Sequence, residues 1–446
     1  MRDHYEKLLK QAHHSLSRIT IYRNIMQDEA VRVFSQLINE LSSANPIYEN
    51  LIEKYHLLSS QLISLYGMNN RIVGDLWQHH IVNLIINDEN IFSLTCERGN
   101  IQNIPEPILT VVQYDLKYMQ LLFNINGRIL QEALKDKTSI EVWPSWEIST
   151  DTKLQLSIGT ILLNSESWEN TLEELAHYYS ENGCGIFNKF KAFRWIKKGH
   201  FGSLMGISSP DPVRFANLIG YERERSSVIE NTLQFIHGFP ANNVLLYGDR
   251  GTGKSSTVKA LLNEYSSKGL RLIEVSKYHL NDLPEILEIL QNRGLKFIIF
   301  VDDLSFESDE SQYRELKSIL EGGIEIRPQN VLIYATSNRR HLIKEYFSER
   351  STSDEISSQD TLQEKLSLAD RFGITVTFIS PDQERYLKIV EELARQRNLE
   401  IDKDVLRNSA LKWEIKHNGR TPRTARQFID HLEGQLKLQD VKNALR

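Results

Sequence analysis

A glycine-rich turn near the middle of the chain limits its possible folds more than any other stretch. The run NVLLYGDRGTGKSST matches the phosphate-loop pattern G-x-x-x-x-G-K-[ST] between Gly248 and Ser255. Successive backbone amides converge on a phosphate only where the chain turns tightly, which favours residues without a Cβ, such as Gly251. The pattern therefore predicts a short buried strand before the turn, a helix after it, and an anion site between them.

Each residue of this loop has an expected role toward a polyphosphate and its metal ion. The Lys254 ammonium is expected to reach the outer phosphates, and the Ser255 hydroxyl to bind Mg²⁺. A helix that begins near Gly253 adds the positive end of its dipole to the same anion. The predicted phosphate-binding residues are Gly248, Asp249, Arg250, Gly251, Thr252, Gly253, Lys254, Ser255 and Ser256.

After about residue 210, short β-branched apolar runs alternate with stretches of helical spacing. This alternation predicts a parallel sheet with helices on both faces. Ligands of such sheets bind at the carboxyl ends of the strands, which is where the glycine-rich turn lies. The predicted strands are 244–247, 271–275, 297–301, 331–336 and 374–378.

The part of the chain before this region predicts a different kind of domain. Apolar residues recur at helical spacing over 48–66 and 113–134, which predicts helices packed in an accessory domain. A coiled coil that binds a partner is the alternative. The turn-rich segment SSPDP marks the predicted boundary, so we expect a mainly helical domain at 1–207, an α/β domain at 208–380 and a helical tail at 381–446.

Composition and charge exclude several classes of protein. The net charge of -6 disfavours bulk nucleic-acid binding, although a local basic patch stays possible. The basic and aromatic stretch 186–200 predicts an amphipathic helix packed on its own domain, with a nucleic-acid or anionic-membrane surface as the alternative. No apolar run approaches the roughly 18 residues that span a bilayer, and Cys96 and Cys184 lack metal-ligand spacing. A cytoplasmic protein without a zinc site is expected.

An apolar run that ends in two carboxylates predicts the second half of the site. The run FIIFVDD ends in Asp302 and Asp303, at the same edge of the predicted sheet as Lys254. Asp302 is placed to hold Mg²⁺ through water, and Asp303 to orient or deprotonate an attacking water molecule.

With these motifs in place, the sequence resembles AAA-type ATPases. The stretch YATSN resembles the polar sensor at the end of the strand that follows the acidic one, with Asn338 as the sensing residue. The pattern LADRFG places Arg371 where many such ATPases have an arginine finger that reaches the nucleotide of the neighbouring subunit. Such an arginine stabilises the negative charge that spreads during phosphoryl transfer.

The helical tail resembles the lid of these ATPases. The run GRTPRTARQF resembles the second sensor of the lid, with Arg423 in the first turn of a helix and Arg420 and Arg426 as rival residues. Thr421 is the expected cap of that helix, and an earlier helix is expected to begin with Ser380 as its cap.

Two further stretches match weaker features of the same group. The run LIGYE resembles the segment that lines the adenine pocket, with Gly220 and Tyr221 at its base. Tyr278 follows the second predicted strand, where threading ATPases carry an aromatic residue that grips polypeptide. An ordinary loop ahead of a helix is the interpretation that we favour for Tyr278.

More narrowly, about residues 185–440 are similar to an uncharacterised bacterial AAA-type family catalogued as domain of unknown function 815. The similarity runs from ANNVLLYGDRGTGKSS through LRLIEV, FVDDLSFE and LEGGIE to ATSNRRHL. As an AAA-type ATPase, the chain is expected to bind Mg²⁺ and to form a homo-oligomer that acts on an unknown protein partner or substrate. The narrower similarity implies a three-layer P-loop sheet with a helical lid, and ATP as the ligand. It implies no cellular role.

Two departures from the AAA-type pattern leave alternatives open. Asp303 stands where these ATPases carry a glutamate, and Glu307 is a possible substitute. Slow hydrolysis, or a conformational switch or scaffold with negligible turnover, is therefore a rival hypothesis. A helicase-loader-like DNA role and a small-molecule kinase are less favoured. The polar, serine-rich segment 348–361 predicts a mobile insertion or a partner loop.

Overall fold

The computed structural model describes most of the chain, and the described part divides into two compact units, Met1–Lys189 and Phe190–Arg446. Glu307 and the segment 348–361 lie outside the described residues. The residues that the structure describes are 2–43, 45–66, 72–99, 101–138, 140, 143–147, 158–199, 201–304, 316–320, 328–338, 371–417 and 419–444.

The first unit is helical, as the apolar spacing predicts. Its helices are α1 (Arg2–Arg18), α2 (Glu29–Leu41), α3 (Tyr48–Tyr66), α4 (Leu76–Asn87), α5 (Ile91–Glu97), α6 (Glu106–Phe123), α7 (Gly127–Thr138), α8 (Ile158–Asn164), α9 (Leu172–Asn182) and α10 (Ile186–Lys189). Asp28 caps α2 by accepting the N–H of Val31 at 3.0 Å. Phe34 of α2 stacks on Trp77 of α4 with ring centroids 3.9 Å apart. Burial of such apolar faces holds the unit together.

The second unit is built on a mostly parallel sheet. In the described part of the chain this sheet has seven strands in the order β2-β1-β4-β5-β6-β3-β7. The strands are β1 (Ala192–Lys198), β2 (Phe201–Ile207), β3 (Val244–Gly248), β4 (Leu270–Glu274), β5 (Lys296–Val301), β6 (Val331–Ser337) and β7 (Ile374–Phe378). Only β2 pairs antiparallel, with β1. The five predicted strands are thus confirmed, and their carboxyl ends share one edge.

The remaining helices cover this sheet or follow it. They are α11 (Glu222–Ile236), α12 (Lys254–Tyr265), α13 (Leu283–Gln291), α14 (Gln383–Gln396), α15 (Lys403–Lys416) and α16 (Pro422–Ala444). Helices α11 and α12 share an apolar core with one face of the sheet, and α13 packs against β6. The lid helices α14 to α16 have a core of their own around Tyr386, Phe428 and Ile429. The predicted three-layer fold with a helical lid is confirmed.

The hairpin of β1 and β2 corrects one prediction and moves one boundary. An amphipathic helix over 186–200 is wrong, because α10 ends at Lys189 and β1 begins at Ala192. Within β1, Phe193 and Trp195 are buried and Arg194 between them is exposed, as expected where successive side chains of a strand face opposite sides. Trp195 packs over Gly202, where a Cβ would lie 1.9 Å from its ring. Both strands join the sheet, so the division between the units precedes the predicted boundary at 207.

The buried hydroxyl of Tyr334 joins strand β6 to helix α11. Tyr334 of β6 is fully buried, and its Oη lies 2.9 Å from Asn231 Nδ2 and 2.8 Å from Thr232 Oγ1. We expect Tyr334→Phe to lower the free energy of unfolding by about 1–3 kcal/mol, because two buried polar groups lose a partner. Urea unfolding followed by circular dichroism measures this change.

Tyr386→Phe is the matched control for this prediction. Tyr386 is equally buried, but its hydroxyl meets the Ala410 carbonyl at 3.5 Å, a long and weak bond. Equal losses of unfolding free energy in the two variants would show that the contacts of the Tyr334 hydroxyl with α11 do not stabilise the fold.

Candidate nucleotide site

The glycine-rich turn is anchored to the neighbouring strand β7. Gly248 has φ +134°, and a Cβ there would lie 2.1 Å from the Phe378 carbonyl oxygen. Asp249 donates its N–H to that same oxygen at 2.9 Å. Gly251 and Gly253 also have positive φ, at +79° and +96°, so the turn depends on glycine at the positions that the motif predicts.

The turn presents backbone amides and one buried ammonium toward a common space. Among the described residues, no backbone carbonyl accepts an N–H from Arg250 to Ser256 within ordinary hydrogen-bond distance and angle. Helix α12 begins directly after Gly253, so the positive end of its dipole points the same way. Lys254 Nζ donates to the carbonyls of Gly248 at 2.8 Å and Asp249 at 2.7 Å. Unpaired amides and a lysine fit a polyphosphate.

The predicted magnesium residues lie side by side. Ser255 Oγ donates to Asp302 Oδ1 at 2.6 Å. A hydroxyl and a carboxylate oxygen at this separation are ligands of the hard type that Mg²⁺ prefers. Thr336 Oγ1 donates to the same Asp302 oxygen at 2.5 Å. The hydroxyl of Thr336 thereby sets the direction of the Asp302 carboxylate.

Asp303 is held in an unusual backbone conformation beside the lysine. Its φ is +52°, which is rare for a residue with a Cβ, and its N–H donates to Thr336 Oγ1 at 3.0 Å. Asn338 Nδ2 donates to Asp303 Oδ1 at 2.6 Å, and Lys254 Nζ donates to Asn338 Oδ1 at 3.1 Å. Lysine, asparagine and aspartate therefore form one continuous chain of hydrogen bonds.

Charge and burial act in opposite directions on Lys254. Burial lowers the pKa of Lys254, whereas the carboxylates of Asp249, Asp302 and Asp303 raise it. The charge of Arg423 lowers the Lys254 pKa further. The charge of the lid arginine thus acts on the Lys254 ammonium.

The structure distinguishes the three candidate arginines of the lid. Arg420 Nε donates to both carboxylate oxygens of Glu414, at 2.9 and 2.7 Å, and Arg426 Nη2 donates to the Asn217 carbonyl at 3.0 Å. Arg423 is exposed in the first turn of α16, and its N–H donates to the Gly251 carbonyl at 3.2 Å. Arg423 is thus the arginine whose backbone contacts the phosphate loop.

A narrow cleft separates the phosphate loop from the lid. It has a volume of about 30 Å³, which is room for about one or two water molecules. Leu218 and Ile219 line it, whereas Gly220 lies outside it. Tyr221 is buried against Phe378 with ring centroids 5.3 Å apart. The residues at the cleft are Asn217, Leu218, Ile219, Arg225, Thr252, Gly253, Ile389, Leu393, Pro422 and Arg426.

Arg371 lies at the opposite edge of the sheet from the phosphate loop. It precedes β7, and at Gly373 a Cβ would lie 2.4 Å from Asn242 Oδ1, just before the start of β3. The five residues of β7 span about 16 Å. The structure therefore does not bring Arg371 to the Lys254 site of its own chain.

The sequence motifs described the surroundings of Tyr278 and Thr336 incompletely. Tyr278 is 71% exposed in a short 3-10 turn after β4, at the edge of the sheet that carries the phosphate loop. No role in the site was predicted for Thr336, although a threonine within the apolar strand VLIYATS indicates a side chain with a polar partner.

Among the residues that the structure describes, no group of His, Cys, Asp and Glu side chains is arranged to hold a metal ion. None of the described helices combines the length and the apolar character needed to cross a membrane.

The chain matches one protein family and resembles several solved structures. Residues 188–436 match the family model described as Protein of unknown function (DUF815). The chain is similar to the Thermotoga maritima RuvB Holliday junction branch migration motor, at 19% identity and a TM-score of 0.37, over 51% of this chain and 67% of that chain. A variant of that Thermotoga maritima motor matches at 19% identity and a TM-score of 0.36, over 51% of this chain and 68% of that chain. No curated protein matches the chain. The family match covers more than half of the chain, which confirms the narrower resemblance, and the chain belongs to the DUF815 family.

Proposed function

We propose that this protein is a Mg-ATP-binding AAA-type ATPase that couples ATP binding and hydrolysis to the remodelling or assembly of a macromolecular partner. The observation that carries the proposal is the network at the carboxyl edge of the sheet. There Lys254 joins Asn338 and Asp303, and Ser255 joins Asp302. Phosphate release by the purified protein with Mg-ATP tests it. Failure to bind ATP at millimolar concentration would overturn it.

The residues of the chain divide the work of phosphoryl transfer in this proposal. The free amides of the turn and Lys254 bind the β- and γ-phosphates. Ser255 and Asp302 hold Mg²⁺, which neutralises charge on the phosphates. Asp303 and Asn338 position a water molecule, and Arg423 approaches the γ-phosphate from the lid.

The place of Arg371 supports a site that two subunits complete. Because it lies at the other edge of the sheet, it serves a nucleotide only on a neighbouring copy. We therefore propose a homo-oligomer in which each Arg371 stabilises the transition state of the next subunit. The presence of Arg371 and Arg423, together with the helical lid, also disfavours a small-molecule kinase as the function.

The second candidate function is a nucleotide switch with negligible turnover. Asp303 favours it, since its carboxylate is shorter than glutamate and is already bonded to Asn338. A single-turnover measurement at saturating Mg-ATP separates the two functions. Rapid conversion of bound ATP to ADP supports the ATPase, and persistence of bound ATP over hours supports the switch.

Magnesium binding gives a prediction specific to Asp302. We expect Asp302→Asn to raise the Mg²⁺ concentration for half-maximal turnover by about 10- to 100-fold, because the amide keeps the bonds from Ser255 and Thr336 but loses the charge. Nucleotide affinity in EDTA is the second readout, and it should change little. Asp303→Asn is the control, with lower turnover at an unaltered Mg²⁺ requirement. The same requirement for Mg²⁺ in Asp302→Asn and the parent protein would remove Asp302 from the metal site.

The macromolecular partner is open to direct identification. We propose a protein partner and a cytoplasmic location, with DNA as a less favoured partner because the net charge is -6. Affinity purification of an ATP-trapped Asp303→Asn variant from cells, with nuclease-treated and untreated samples, identifies the bound protein or nucleic acid.

A further inference from the structure

Asp249 connects the phosphate loop to the start of the lid. Its Oδ2 accepts the N–H of Ser380 at 2.7 Å, across 131 positions of the chain. Ser380 lies between the end of β7 and the first lid helix, α14. The sequence predicts Ser380 as the cap of that helix, and this is wrong. Asp382 caps α14 by accepting the N–H of Arg385 at 2.8 Å. The Ser380 amide is bound to the phosphate loop instead.

The same residue also contacts the lysine that binds phosphate. The Asp249 carbonyl accepts Lys254 Nζ at 2.7 Å and Thr252 Oγ1 at 2.8 Å. A single residue therefore joins the ammonium of the site to the chain that enters the lid. Asp249 thus contacts Ser380 through its side chain, and Lys254 and Thr252 through its carbonyl.

A second set of contacts joins the phosphate loop to the other end of the lid. Arg423 donates its N–H to the Gly251 carbonyl at 3.2 Å, and a Cβ on Gly251 would lie 3.0 Å from Thr421 Oγ1. The loop thus holds both the first and the last helix of the lid. The orientation of Arg423 depends on both contacts, because α14 and α16 pack in one core.

The charge of Asp249 attracts Lys254 but is unfavourable toward a bound phosphate. The N–H of Ser380 lowers the pKa of Asp249, so the carboxylate is ionised near neutral pH. A negative charge in a phosphate loop repels the anion that the loop binds. A carboxylate here is understandable if its bond to the lid outweighs that repulsion.

We infer that Asp249 is a positioning residue that fixes the lid hinge at Ser380, and so directs Arg423 toward the γ-phosphate. The inference rests on the proposed ATPase function for its effect on turnover. Its structural part, the restraint on the lid, is independent of nucleotide.

Two substitutions separate the restraint from the charge. Asp249→Ala removes the acceptor and the charge, whereas Asp249→Asn removes the charge and keeps an oxygen that can accept the Ser380 amide. We expect Asp249→Ala to lower kcat by about 10- to 100-fold at a similar KM, since a misplaced group acts mainly on the transition state. Asp249→Asn should recover most of that loss.

Double electron–electron resonance measures the distance between the lid and α11 in the full chain without nucleotide. Spin labels at Glu230→Cys on α11 and Gln435→Cys on α16 report the lid, since both positions are exposed and the native Cys96 and Cys184 are buried. We expect a broader distance distribution in Asp249→Ala and a narrow one in Asp249→Asn and the parent.

The outcomes are distinct. Identical distributions in all three proteins, or equal broadening in Asp249→Ala and Asp249→Asn, would overturn the inference. If the parent protein binds no ATP, the proposed function fails, and the nucleotide-free distances still decide the role of Asp249. Circular dichroism melting shows whether each variant is folded.

Discussion

Lys254→Ala is expected to abolish most ATP turnover, with a loss of about 10²- to 10³-fold or more. The ammonium is buried at the end of the loop and bonded only to two backbone carbonyls and Asn338 among the described residues. Alanine removes the buried side-chain cation of the loop and helix start. Initial rates of phosphate release and the affinity for a fluorescent ATP analogue measure the effect.

Lys259→Ala provides the matched control on the same helix. Lys259 lies 3.6 Å from Asp211 at the surface of α12, and both side chains are 40% or more exposed. A surface pair of this kind contributes about 0–1 kcal/mol, so turnover should stay near that of the parent. If Lys254→Ala and the parent hydrolyse ATP at the same rate, the proposed site is not the site of hydrolysis.

Arg371→Ala is expected to lower turnover by about 10³-fold in the homo-oligomer while ATP binding stays near normal. The physical reason is position: Arg371 lies at the amino edge of the sheet and Lys254 at the carboxyl edge, so one chain cannot bring them together. Loss of an arginine supplied by a neighbour affects the transition state more than the bound ground state.

Mixing the two inactive variants tests this arrangement. An Arg371→Ala subunit has an intact loop, and a Lys254→Ala neighbour supplies the missing arginine, so mixed oligomers should regain activity. Arg223→Ala, at an exposed position on α11, is the control for the loss of any surface arginine. Intact mixed oligomers without recovered activity at every ratio would count against a shared site.

Much of the fold followed from local patterns. The five strands β3 to β7 were predicted because buried parallel strands are short apolar runs between turns. The hairpin of β1 and β2 was missed because Ile186, Phe190, Phe193 and Ile196 also fit helical spacing. Pairing decided between the two, since Ala192 aligns with Leu272 on β4 and the glycines of β2 make room for aromatic rings.

The site shows the same division between local and distant information. Thr421 was predicted as the cap of the last helix, and its Oγ1 accepts the N–H of Thr424 at 3.1 Å. Ser380 and Thr336 were assigned no partner across the sheet, because their contacts join segments far apart in the chain. Gly220 and Tyr221, predicted at the base of the adenine pocket, lie beside the cleft that Leu218 and Ile219 line.

The residues from Gly248 to Ser255 were sufficient to predict an anion site, because a tight glycine turn followed by a helix directs backbone amides to one point in any fold. The roles that we propose for Arg371, Arg423 and Asp249 depend on folding. The direction of β7 places Arg371 at the far edge of the sheet. Lid packing pairs Arg420 with Glu414 and Arg426 with the Asn217 carbonyl, and the backbone of Arg423 contacts the loop. Such choices arise from pairing between distant segments, which no local spacing of residues encodes.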